Sequence, residues 1–198
     1  MTIEFFFEIS SPYSYLAAFK IEELARRVGA EITWKPFVLG AVFKHIGSGP
    51  PAAIPQKGVY MMQDLRRFAR RDARPFTMPP VFPVHSIKAH RAILASRKLR
   101  DEATMVRVTK GLYEAYWAQG KDISDMEVLG EALAGMGLDA EAVEEAMKSQ
   151  EVKDELRQYT DEACARGVFG APTFFLGDQM FWGNDRMDFL EQAILEST

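Results

Sequence analysis

Apolar residues crowd the start of the chain, positions 3–7, and the run closes on Ser10 and Ser11. A short run of this kind, ended by small polar residues, predicts a strand. From Pro12 the pattern changes. Tyr15, Leu16, Phe19, Leu24 and Val28 recur at helical spacing and Gly29 ends the series, which predicts one helix over 12–28. Residues 31–38 (EITWKPFV) alternate and are rich in β-formers, so they predict a second strand. Strand, helix, strand in this order is a βαβ unit, and its strands should be parallel.

Gly47-Ser48-Gly49-Pro50-Pro51 predicts a loop. A helix over 57–72 should bury Tyr60, Met61, Leu65, Phe68 and Ala69, and the proline-rich 74–84 should be extended. Helical patterns follow over 86–99, 103–117, 125–136, 140–148 and 151–166, with Ser124 and Glu127 spaced as a capping box for the third. Then strands return at 173–176 and 179–182 about a Gly177-Asp178 turn, with a closing helix over 185–195. The order βαβ, helices, ββα is an α/β chain on the thioredoxin plan with a mixed sheet. Residues 1–40 and 168–198 would form the thioredoxin-like domain, and 41–167 an inserted helical domain.

Composition narrows the partners. Of 198 residues 47% are hydrophobic and 26% charged, which is ordinary for a globular protein. A formal charge of -4 argues against a general nucleic-acid partner. Charges interrupt every apolar run, so no membrane span is expected, and no basic region followed by an apolar stretch marks a secretory signal. The single cysteine, Cys164, allows no internal disulfide and suits a reducing compartment, with the cytoplasm as the default. It reads as a buried structural thiol. His45, His85 and His90 lack ligand spacing, so no metal is expected.

Three segments carry candidate chemistry. Pro12 suits the first helical position, which makes Ser11 the N-cap at the positive end of a helix, a place suited to an anion. A serine there often does no more than cap. In thioredoxin-like proteins the redox Cys-x-x-Cys occupies this place; here it reads Ser11-Pro12-Tyr13-Ser14, so disulfide exchange is lost. The hydroxyl can still donate to a thiolate brought by a ligand. Ala171-Pro172 enters the third strand, where this fold characteristically holds a cis proline that exposes the preceding backbone to an extended peptide. An ordinary loop proline is the alternative. In Trp182-Gly183-Asn184-Asp185-Arg186, Asn184 or Asp185 should cap the last helix, and the same groups could grip the charged ends of a bound amino acid.

FFFEISSPYSYLA, WKPFVLGAVFKHIGSGPP and FGAPTFFLGDQMFWGNDR together resemble the 2-hydroxychromene-2-carboxylate isomerases, relatives of the kappa-class glutathione transferases and DsbA-type oxidoreductases. The resemblance covers essentially the whole chain. It implies a glutathione-dependent enzyme that interconverts 2-hydroxychromene-2-carboxylate and trans-o-hydroxybenzylidenepyruvate in the breakdown of naphthalene-type aromatics. By position in the motifs, Ser11 would act at the glutathione sulfur and Ala171, beside Pro172, would pair with the tripeptide backbone. Trp182, Gly183, Asn184 and Asp185 would hold its γ-glutamyl end, and Lys44 the substrate carboxylate. The family often has asparagine where this chain has Ser48, and another near His85. Both positions would lie by the aromatic substrate, where His85 could bind a carboxylate or move a proton.

Phe37, Tyr60, Phe76, Met78 and Phe82 would line an apolar pocket or simply pack in the core. Homodimerisation is implied by the family alone. A kappa-like transferase uses the same thiolate and the same residues, so it stays open beside the isomerase. So does a glutathione-binding, non-catalytic thioredoxin-like module.

Overall fold

The computed structural model describes residues 1–197. β1 (Thr2–Phe7) pairs in parallel with β2 (Glu31–Pro36), and β3 (Thr173–Leu176) and β4 (Gln179–Trp182) form the hairpin. β3 runs antiparallel to β1, which gives a mixed sheet of order β2-β1-β3-β4. The two ends of the chain therefore meet on the central pair of strands.

β1 is covered on both faces, which explains its apolar run from Phe5 to Phe7. Phe5 stacks on Phe174 at 5.0 Å and meets Trp34 edge-on at 5.0 Å. Together with Ile3 and Phe7 it belongs to the large core shared with the helices. Phe6 points the other way, into a smaller core with Phe37, Val42, Ala163, Val168 and Phe175. Beside it Lys35 bonds Glu4 and Glu162, and Arg166 reaches the same two carboxylates. Burial alone would raise the pKa of Glu4, but its hydrogen bonds to Lys35 and Arg166 hold it below the ordinary carboxylate value.

The single helix expected over 12–28 is two. α1 (Pro12–Ala18) ends in a tightened turn where the Lys20 N–H bonds the Ala17 carbonyl at 2.9 Å, and α2 (Ile21–Val28) follows. The break sets Phe19 against Tyr15 at 5.5 Å and under the Arg74 guanidinium at 3.9 Å. α3 (Leu39–His45) lies where the pattern showed no element. α4 (Pro55–Arg71) begins two residues earlier than expected and buries Leu65 and Ala69, while Tyr60 is 61% exposed rather than part of the apolar stripe.

α5 (Ile87–Leu99) and α6 (Glu102–Tyr113) follow, and α6 ends in a π-helical turn, Glu114–Ala118. α7 (Met126–Gly135) is capped not by Ser124 but by Asp125, whose carboxylate accepts the Glu127 N–H at 2.8 Å. The Ser124 hydroxyl turns instead to Asp122. α8 (Ala140–Met147), α9 (Gln150–Ala165) and α10 (Met187–Glu196) complete the chain. Cys164, expected to be buried, is only partly covered at the margin of the smaller core. Among the described residues no helix is long and apolar enough to cross a membrane.

Removing the ring of Phe5, fully buried in the sheet's aromatic stack, should cost about 3–5 kcal/mol. Phe189→Ala, on an exposed ring of α10, should stay within about 0.5 kcal/mol of the parent in urea unfolding.

Candidate active site

Ser11 sits where β1 passes into α1. Its backbone is extended, and its hydroxyl oxygen accepts the Ser14 N–H at 3.2 Å as the N-cap of α1. The hydroxyl proton goes to the Ala171 carbonyl at 2.9 Å. Ala171-Pro172 is a cis peptide bond, and the Ala171 N–H has no partner among the described residues. The first seam and the entry to β3 are thus joined directly.

The third segment is tied to the second. The Gly183 N–H donates to the Pro172 carbonyl at 3.0 Å, and Gly183 turns at a φ of +108°, a conformation that favours glycine. Asn184 is 3% exposed, and its amide Nδ2 is buried without a partner among the described residues. A buried donor left unpaired is costly, so it marks a place where a ligand oxygen would be welcome. Neither Asn184 nor Asp185 caps the last helix: Arg186 holds that position with no side-chain bond. Asp185 instead pairs with the neighbouring Arg186 at 2.6 Å. Trp182 is half-exposed, meets Phe169 at a tilt with ring centres 4.9 Å apart, and lies over Gly170. A Cβ at Gly170 would fall 2.3 Å from the Trp182 indole nitrogen, so only glycine allows this approach.

Sequence reasoning missed several residues here. The Tyr13 hydroxyl donates to Asp64 on α4 at 3.0 Å, and the negative charges of Asp64 and Asp185 both act on the phenol. Burial, then Asp64, raises the Tyr13 pKa, so the phenol stays protonated. Lys57 is seven residues before Asp64, on the same side of α4, and has no partner among the described residues. Behind the seam Tyr113 donates to the Glu8 carbonyl at 3.1 Å, and the Trp117 indole to the Ile9 carbonyl at 3.0 Å. The fully buried His90 accepts the Ile9 N–H through Nε2 at 3.1 Å. Only the spacing of Asp64 within its helix was visible beforehand; its contact with Tyr13 is tertiary.

Lys44, Ser48 and His85 stand apart. Each is exposed, and none has a hydrogen bond or ion pair to the Ser11 group among the described residues. Lys44 lies in the last turn of α3 with its ammonium free, and the Ser48 N–H bonds the Phe43 carbonyl. The five candidate pocket residues do not form one pocket. Phe76 stacks on Trp117 and Phe82 meets it edge-on, Phe37 is in the smaller core, and Tyr60 and Met78 are exposed.

A βαβ…ββα sheet with a capped hydroxyl in the redox position and a cis proline opposite defines the class, and the chain belongs to the DsbA-like thioredoxin domain family, whose match spans residues 2–195. Within that family it stands with the 2-hydroxychromene-2-carboxylate isomerases and their kappa-class relatives. It is 37% identical to the 2-hydroxychromene-2-carboxylate isomerase of Sphingobium xenophagum over 98% of both chains. It is 34% identical to glutathione S-transferase kappa 2 of Caenorhabditis elegans, covering 96% of this chain and 92% of that one. A solved 2-hydroxychromene-2-carboxylate isomerase superposes with a TM-score of 0.88 at 32% identity, over 99% of this chain and 95% of the other.

Burial holds the His90 pKa below its ordinary 6.5, against the pull of Glu8. A depressed folded value means the unfolded chain takes up the proton first as pH falls. Stability should therefore decline as pH drops below about 6.5 toward the folded value. His90→Gln, which keeps an acceptor for the Ile9 N–H, should flatten that slope in denaturant unfolding between pH about 7 and 5.

Proposed function

We propose that the protein is a glutathione-dependent isomerase that interconverts 2-hydroxychromene-2-carboxylate and trans-o-hydroxybenzylidenepyruvate. The observation that carries this reading is the Ser11 hydroxyl at the head of α1, hydrogen-bonded across to the backbone that precedes the cis proline. The family names support the choice of reaction.

The residues present fit a thiol tripeptide. The Ala171 N–H and carbonyl can pair with an extended backbone as a short added strand. The buried Asn184 amide supplies a free donor for a carboxylate, and Asp64 and Asp185 supply negative charge for an ammonium. When bound, glutathione would supply a nucleophilic thiolate whose reversible addition to the conjugated substrate frees the double bond to rotate. Ser11 holds its proton on the Ala171 carbonyl in the free protein and would turn it toward the sulfur, leaving that carbonyl to a peptide N–H. Two hydrogen bonds would be exchanged without leaving either partner unsatisfied. Ser11 is thus a stabiliser of the thiolate and not itself a covalent nucleophile. The free Lys44 ammonium would hold the substrate's carboxylate.

The kappa-class relative at 34% identity favours a second reading, a transferase that uses the same thiolate to form a conjugate. The balance of glutathione separates the two: the isomerase returns every thiol, and a transferase consumes one per turnover.

With 2-hydroxychromene-2-carboxylate, turnover should require glutathione without depleting it, and Ser11→Ala should lower kcat by about 10²-fold, the loss typical of one well-placed donor. Lys44→Ala should raise KM for the chromene acid and leave glutathione affinity nearly unchanged. A Ser11→Ala enzyme as fast as the parent would remove the hydroxyl from the mechanism.

A further inference from the structure

Glu8 is 1% exposed, and its carboxylate meets no lysine or arginine among the described residues. A carboxylate taken out of water without a cation is expensive, and an apolar side chain would fill the space at lower cost. Its two oxygens are both in use. Oε1 accepts the Ser10 N–H at 3.1 Å, next to Ser11, and Oε2 accepts the Leu39 N–H at 3.0 Å. His90 Nε2 approaches Oε1 at 3.4 Å but already accepts the Ile9 N–H, so it serves the seam as a neutral ring.

Leu39 is the first residue of α3, and the residue before it, Val38, has no side chain able to cap. α3 thus takes its cap from Glu8, the residue just after β1 and 31 positions earlier. The Val38 N–H is pinned separately by the Thr160 hydroxyl at 3.1 Å. At the other end of α3 stands Lys44. One buried carboxylate therefore spans the backbone beside Ser11 and the root of the helix that carries the lysine. The two carboxyl oxygens accept two separate N–H groups, and glutamine would turn a donor toward one of them. Its backbone is held as firmly, by Tyr113 on its carbonyl and by Trp117, from the π-helical turn, on that of Ile9.

We propose that Glu8 is a positioning residue that fixes the Lys44 helix relative to the Ser11 seam, and so sets where the substrate carboxylate lies with respect to the thiolate. The inference rests on the assignment of Lys44 to that carboxylate in the proposed function. Losing the bond should disturb capture of the aromatic 2-oxo acid and leave the glutathione grip in place, because Ala171, Pro172 and Gly183 are held by bonds of their own.

The test uses two routes to the same bond. Glu8→Gln removes an acceptor. Leu39→Pro removes the donor, since proline is tolerated at the first helical position, and Leu39→Ala controls for the lost side chain. Binding of trans-benzylidenepyruvate is followed by tryptophan fluorescence without glutathione, glutathione binding by calorimetry, and turnover by the chromene acid assay. Leu39→Pro should bind the 2-oxo acid about tenfold or more weakly than Leu39→Ala, as should Glu8→Gln against the parent, with glutathione affinity held within about threefold. Amide exchange across residues 40–45 should quicken in both.

If Glu8→Gln does not fold, the proline and alanine pair decides alone. Leu39→Pro matching Leu39→Ala in 2-oxo acid binding overturns the inference, as does an equal loss for both ligands. A parent that binds the 2-oxo acid but turns over no chromene acid refutes the proposed reaction and leaves the positioning of Lys44 to be judged by binding. A parent that does not bind it refutes both.

Discussion

A single hydrogen bond, from the Ser11 hydroxyl to the Ala171 carbonyl, joins positions 160 residues apart and ties the head of α1 to the segment that enters β3. The ladder between β1 and β3 already makes the head of α1 and the cis-proline segment neighbours, and this bond fixes their facing groups. With it, one hydroxyl does two jobs: it accepts a helix N–H and donates across the gap. A thiol in the same place would be a weak partner for either, whereas a hydroxyl satisfies both and has no redox chemistry of its own. That is the physical content of replacing sulfur by oxygen at this seam.

The surroundings make the seam stiff. Phe5 and Phe7 anchor β1 in an aromatic core, and Tyr113, Trp117 and His90 secure the backbone of Glu8 and Ile9 from the helical side. Polar groups buried to this degree pay only when every partner is present. Among the described residues His90 Nδ1, behind the seam, has no partner, and neither do the Asn184 amide and the Ala171 N–H in the segments around the cis proline. A rigid frame that leaves donors free in the segments around the cis proline is what a preorganised binding site requires.

The sheet was legible because its signals are local. Apolar 3–7, alternating 31–38 and the Gly177 turn each announce their own element, and their order implies the mixed sheet found. The three chemical segments were legible as motifs, and the structure brings Ser11, Ala171, Pro172 and Gly183 into direct contact. What could not be read depends on distant partners. α3 escaped notice because its cap comes from Glu8, and the Tyr13–Asp64 bond because its halves lie on different helices. The wrong cap of α7 has another cause: Ser124 and Asp125 are both good caps, and local pattern cannot rank neighbours.

The central claim is that a hydroxyl at residue 11 stabilises a sulfur carried in by the ligand. Titrating the ultraviolet absorbance of the thiolate in the glutathione complex tests it most directly. In the parent the bound thiol should ionise well below the ordinary thiol value of about 8.5, and in Ser11→Ala it should return toward that value. An equal pKa in the two proteins, with glutathione bound in both, would contradict the account.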